Sequence, residues 1–132
     1  MESRTKQAIS CTALVVDNDE LVRLGTVVIL REIGFTLMTA PDGPSGLVLI
    51  ESAKMPDILV TDYEMPGMNG VELARIITDK SPGVHVLIVT GHNDLGQEIP
   101  DHWQVLQKPF TNMEMQSALE IFGIRAANQL AG

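Results

Sequence analysis

Apolar residues gather along this chain into short runs that end abruptly in polar ones, and between the runs they recur at helical spacing. Ala13 to Val16 is a Val-rich run that stops at Asp17, Asn18, Asp19 and Glu20, which predicts a buried strand whose carboxyl end emerges at a polar edge. Leu21, Leu24 and Val28 then fall at spacings of three and four, on one face of a helix that Gly34 stops. Thr36 to Ala40 reads as a second strand. Pro41-Asp42-Gly43-Pro44 turns the chain into a helix carrying Leu47 and Ile50 inward, with Ala53 as a further inward candidate, until Met55-Pro56 breaks it. Ile58 to Thr61 repeats the first pattern and again ends in an acid, Asp62. After the loop from Met65 to Gly70, Leu73, Ile76 and Ile77 mark a third helix, which Ser81-Pro82-Gly83 stops. Val84 to Val89 is the fourth strand. Asp94 to Pro100 leaves room only for a stub of helix before a fifth strand over Trp103 to Gln107. Thr111 with Glu114 forms a capping box that opens a last helix, whose Ala118, Leu119, Phe122 and Ala126 face the core.

Strands that alternate with helices predict a parallel sheet covered on both sides, because parallel neighbours need crossover connections and these are right-handed. In such open sheets ligands bind beyond the carboxyl ends of the strands, where strand order reverses. The 132 residues, 45% of them apolar, suffice for one ordinary core, and no internal repeat or flexible linker suggests a second. Nine Lys plus Arg against 17 Asp plus Glu give a net charge of −8, which argues against a broad grip on nucleic acid or anionic lipid. Cys11 is the only cysteine, so neither an internal disulfide nor a cysteine-based zinc cluster can form, and a cytoplasmic setting is expected. Residues 1–11 are a polar extension without the apolar core of a signal peptide, and no run is long enough to span a membrane.

Four features follow predicted strands directly: Asp17-Asn18-Asp19, Asp62, Thr90-Gly91 and Lys108-Pro109. Each alone has a plain structural role. Asp17 and Asp19 suit a helix cap, Asp62 a turn, Thr90 a strand end and Lys108 a surface charge. His85 lies within a strand run and reads as a core or sheet-end residue. Gathered on one edge, however, the four features supply carboxylates for a hard cation, a hydroxyl, an ammonium and a nucleophilic carboxylate, the parts that phosphoryl transfer needs.

The stretch LVTDYEMPGMNGVEL, Leu59 to Leu73, with ALVVDNDE, VLIVTG and LQKPF in order around it, resembles the receiver domains of bacterial response regulators and hybrid histidine kinases. The resemblance runs from about Thr12 to Leu130, so residues 12–130 are expected to form one receiver domain. It implies a doubly wound, flavodoxin-like α/β fold with strand order 2-1-3-4-5, helices on both faces and a shortened fourth helix. It implies further that Asp62 accepts a phosphoryl group from a histidine kinase or histidine phosphotransfer protein, that Thr90 bonds a phosphoryl oxygen, and that Lys108 pairs with the phosphate through a cis Lys108-Pro109 bond. No enzymatic activity is implied beyond self-phosphorylation and slow autodephosphorylation. The signal would pass to a downstream protein target, with no nucleic acid or membrane as partner.

Asp17 and Asn18 stand at the family's acidic metal positions. Magnesium favours about six oxygen ligands and retains waters, so Asp62, the Asn18 side chain and the main-chain carbonyl of Glu64 are its expected ligands, with Asp17 holding a bound water. Asn18 replaces an acid there, which predicts weakened magnesium binding that Asp19 offsets in part. Val105 stands three residues before Lys108, where many receivers carry an aromatic ring that swings inward, so switching must use backbone shifts, Trp103 or another surface. Glu64 and His92 flank the site, at positions that tune phosphoryl lifetime in this family.

Two rivals are set beside this reading. Asp17-Asn18-Asp19 is also the Asp-x-Asp of a haloacid-dehalogenase-type phosphatase with Asp17 as nucleophile, but no later acidic pair is present to hold magnesium. A receiver-like adaptor that binds without phosphorylation is suggested by Asn18 and Val105, and opposed by the presence of Asp62, Thr90 and Lys108 together. Without an output segment after the last helix, the chain reads as a stand-alone receiver or the end of a hybrid kinase, and the initiating Met favours the former.

Overall fold

The computed structural model describes residues 11–92 and 95–124. Five strands, β1 (Thr12–Val16), β2 (Thr36–Ala40), β3 (Ile58–Asp62), β4 (His85–Thr90) and β5 (Gln104–Gln107), form one sheet in the order β2-β1-β3-β4-β5. All four pairings are parallel. The connections are α1 (Glu20–Ile33), α2 (Gly43–Ser52) and α3 (Gly70–Lys80), and α4 (Asn112–Ile121) follows β5. Strand order reverses between β1 and β3, so their carboxyl ends open onto a common crevice.

Alternation along the central strands divides the core between the two faces of the sheet. Ala13, Val15, Ile58, Val60, Leu87 and Val89 pack with Val27 and Leu30 of α1 and Met115 and Leu119 of α4. Leu14, Val16, Leu59, Val86 and Ile88 point the other way, onto Ile50 of α2, Leu73 and Ile77 of α3, and Trp103. Each such side chain, fully buried, contributes about 1.5 to 3 kcal/mol relative to exposure, and the central strands carry one at nearly every position. This is why they read as continuous apolar runs.

The helix starts follow from side-chain caps. Asp19 accepts from the Leu21 and Val22 amides, Asp42 from that of Ser45, and the Asn69–Glu72 and Thr111–Glu114 pairs close reciprocal capping boxes. Gly34 closes α1 at φ 124°, outside the range comfortable for a side chain.

One expectation is refined and two are corrected. Leu21, Leu24 and Val28 share a face as predicted, but that face looks outward at 79%, 58% and 47% exposure, and α1 buries Thr26, Val27, Leu30 and Ile33 instead. The 26-27-30-33 set is itself helically spaced, and it reaches the sheet because Val27 and Leu30 join the cluster around Val15 and Val60. Ala53 ends α2 exposed rather than inward. The stub of helix expected from Asp94 to Pro100 is replaced by bends and coil over Leu95 to Pro100, where Gly96 at φ 74° interrupts helical geometry; Asp94 lies outside the described residues. On the last helix Ala118 and Leu119 are buried, Phe122 is half-buried and stacks on His85 at 4.7 Å, and Ala126 lies outside the described residues.

Candidate functional site

The strands deliver their terminal side chains to one edge. Asp17 follows the last residue of β1, Asp62 ends β3, Thr90 ends β4 and Lys108 follows β5. Register aligns them: Val89 pairs with Asp62, Thr90 with Gln107, and the Lys108 amide donates to the Thr90 carbonyl at 2.8 Å. The Asp17 amide donates to the Ala40 carbonyl on β2, which carries the sheet bonding one residue past β1. The Lys108-Pro109 peptide is cis.

Lys108 Nζ lies 3.2 Å from Asp62 Oδ1 and 3.4 Å from Asp17 Oδ2, bridging two carboxylates that are both buried. Burial holds the Asp62 carboxyl above its ordinary 3.8; the neighbouring Asp17 charge adds to this, while Lys108 and the Glu64 amide partly oppose it. Two acids on one ammonium leave a net negative charge in the crevice, and every oxygen is a hard donor. Among the described residues no three His, Cys, Asp or Glu side chains assemble as a metal-holding group, so any cation there must complete its shell with other oxygens.

Thr90 is fully buried, and its Oγ1 accepts from the His92 amide at 3.1 Å. Glu64 and His92 meet across the mouth of the site, with His92 Nε2 2.7 Å from Glu64 Oε2, both side chains exposed. Asn18 and Asp19 are exposed at the same edge, with Asp19 committed to capping α1. Asp17 Oδ1 accepts from the Asp19 amide at 2.9 Å, which fixes the acidic turn. The structure thus brings together Asp17, Asp62 and Lys108, with Thr90 at the adjacent strand end. Val105 is 44% exposed on the β5 edge and presents no ring.

Two contacting residues had no role in the sequence reading. Arg23 Nη1 donates to the Asp17 carbonyl at 2.6 Å, clamping α1 to the turn after β1. Tyr63, wedged between Asp62 and Glu64, turns its phenol to Leu95 and Gln97. Its place beside the phosphoacceptor candidate was the only available signal. Gly70 is required by close approach, since a Cβ there would strike the Asp62 carbonyl oxygen.

Residues 13–120 match the family model for the response regulator receiver domain. The DNA-binding transcriptional regulator NtrC of Salmonella typhimurium is 34% identical over 110 residues, 80% of this chain and 23% of that protein. The sensor kinase CckA of Brucella abortus is 28% identical over 91% of this chain and 13% of its own length. This chain therefore spans at most about a quarter of these two relatives. A response regulator receiver protein from Sinorhizobium medicae superposes with a TM-score of 0.77 at 24% identity, covering 86% of this chain and 94% of that one. A receiver domain protein from Clostridium thermocellum gives 0.75 at 25% identity, covering 92% and 99%. The order of its strands, the motifs at their carboxyl ends and these matches agree, and the chain belongs to the response regulator receiver domain family.

Proposed function

We propose that Asp62 is the phosphoacceptor of this receiver, taking a phosphoryl group from the phosphohistidine of a histidine kinase or histidine phosphotransfer protein and signalling through a protein surface. The observation that carries this reading is the bridge that Lys108 makes between the buried carboxylates of Asp62 and Asp17. A carboxylate oxygen of Asp62 attacks phosphorus, the phosphorus–nitrogen bond to the donor imidazole breaks, and the product is an acyl phosphate. Lys108 is placed to follow the new dianion, and the buried Thr90 hydroxyl to donate to one of its oxygens. Each such charge-assisted bond contributes about 1.5 to 3 kcal/mol.

The donor set fits magnesium: Asp62, the Asn18 side chain and the Glu64 carbonyl would hold it, with Asp17 binding through water. When bound, it neutralises charge between the attacking carboxylate and the phosphoryl oxygens. Asn18 removes one negative charge from the site relative to an acid there, so this receiver is assigned a weakened cation site. Glu64 lies two residues after Asp62 and His92 two after Thr90, and the proposed role of their pair is to set phosphoryl lifetime by limiting entry of the hydrolytic water.

Leu21, Leu24 and Val28 form an exposed apolar stripe on α1 whose first member lies one turn from the acidic edge. This stripe is the proposed seat for the helix that carries the donor histidine, because it presents an exposed apolar surface that begins near the acidic edge.

Incubation with acetyl phosphate and magnesium tests the reading by intact mass and by mapping of the acyl phosphate. One added phosphoryl group on Asp62 supports it. Label on Asp17 indicates the phosphatase chemistry instead, and no label indicates an adaptor that works without phosphorylation.

A further inference from the structure

The chain between β4 and β5 is held by side chains from elsewhere, and one of them grows from the residue next to Asp62. Tyr63 donates its phenol hydrogen to the Leu95 carbonyl at 2.8 Å and accepts from Gln97 Nε2 at 3.1 Å. The Tyr63 amide donates to the Val89 carbonyl at 2.9 Å, directly before Thr90, and its carbonyl accepts from Gly70 at the start of α3. A second tether lies farther along: Arg75 Nη2 reaches the Glu98 carbonyl at 2.9 Å, and its guanidinium sits 5.7 Å from the Trp103 ring centre. Leu95 and Ile99 rest half-buried against the core cluster that includes Trp103, as Tyr63 does. Val105 offers no ring to fill a cavity when Thr90 moves.

We propose that the Tyr63 phenol is the coupling element of this receiver, pinning Leu95 to Gln97 in the resting state and releasing them when Asp62 is phosphorylated. This rests on Asp62 being the phosphoacceptor. Tyr63 is bonded through its amide to Val89, next to Thr90, and through its phenol to Leu95, so drawing Thr90 toward a phosphoryl group bears on both ends of this residue and loads the phenol bond. A phenol-to-carbonyl bond is among the weaker contacts present and yields before the packing of Trp103, which is 5% exposed. Tyr63 therefore acts as a positioning residue and takes no part in the transfer itself.

The test compares the native chain with Tyr63→Phe, each with and without acetyl phosphate and magnesium, by intact mass, amide exchange over Leu95 to Trp103, and near-ultraviolet absorption of the single tyrosine. Phosphorylation of the native chain is expected to raise exchange in that segment roughly fivefold and to shift the tyrosine band. Unphosphorylated Tyr63→Phe is expected to exchange at the raised rate already, to take up the phosphoryl group normally and to show no further rise. Gln97→Ala keeps the bond to Leu95, so it should retain the response with a smaller resting protection. A native chain that gains the phosphoryl mass while segment and tyrosine stay unchanged overturns the coupling alone, as does a Tyr63→Phe variant that responds like the native chain. A native chain that takes up no phosphoryl group overturns the phosphoacceptor reading and the coupling with it.

Discussion

The two halves of the sheet's carboxyl edge are built in opposite ways. At β1 and β3 the acids are fixed by backbone: strands paired on both sides, amides committed to neighbouring carbonyls, and one lysine bridging two buried carboxylates. Between β4 and β5 no helix forms among the described residues, Val105 is exposed, and side-chain tethers from Tyr63 and Arg75 hold the segment in place. Chemistry needs atoms fixed within fractions of an ångström, whereas a signalling surface needs two arrangements close in energy. The proposed phosphoryl chemistry falls in the first half and the proposed signalling surface in the second.

The sharpest way to break this contrast is to remove the proposed nucleophile. Asp62→Asn is expected to abolish acyl phosphate formation outright while the fold persists, checked by intact mass beside circular dichroism. Residual label on another residue would show that the crevice is not organised around Asp62. Lys108→Ala comes next, because it leaves two buried carboxylates without their shared cation. Losing one charge-assisted bond to the transferring group should slow phosphorylation about 10- to 100-fold, measured as the rate of mass gain.

Asn18 stands where the family resemblance implies an acid, and Asn18→Asp supplies that charge. At about 4 Å and an effective dielectric near 20, a unit charge and a dication attract by roughly 8 kcal/mol before desolvation is subtracted, so a net gain of about tenfold or more in magnesium affinity is expected. Titration calorimetry measures it. An unchanged affinity would mean that the residue 18 side chain does not contact the ion. Gly70→Ala should be felt through packing alone: its Cβ would displace the Asp62 carbonyl or the start of α3, at a cost of about 1 to 3 kcal/mol in denaturant unfolding.

The chemical half was legible in the sequence because buried parallel strands must be apolar throughout, so the polar residue that ends each run marks the edge of the sheet. Asp17, Asp62 and Thr90 were located by that rule, Lys108 by its place after the fifth predicted strand, and their expected roles came from the family resemblance. The orientation of α1 was not legible, since its sequence offers two helically spaced apolar sets and only contact with the sheet chooses Val27 and Leu30 over Leu24 and Val28. The β4–β5 segment was misread for a related reason. Its order comes from the Tyr63 phenol and the Arg75 guanidinium, 32 and 23 residues away in sequence from the carbonyls they hold, and no local periodicity records such bonds.

The smallest effect follows from the cost of keeping Asp62 ionised. Its carboxyl is held above 3.8, chiefly by burial and then by Asp17, so the folded chain binds this proton more tightly than the unfolded chain does. The stabilising contribution of a raised carboxyl is complete below the unfolded value and is lost as pH rises through the folded one. At neutral pH the ionised Asp62 is therefore a net cost, despite its bond to Lys108. Asp62→Asn removes that charge at similar size and leaves Lys108 paired with Asp17, so it should melt slightly above the native chain at pH 7. The gain should shrink as pH falls toward 3.8, where more than half of the native carboxyl is protonated. Paired melting curves across that range decide it: a variant that melts below the native chain at neutral pH would mean that the lysine bridge outweighs burial, and that the nucleophile is held by attraction rather than poised against its surroundings.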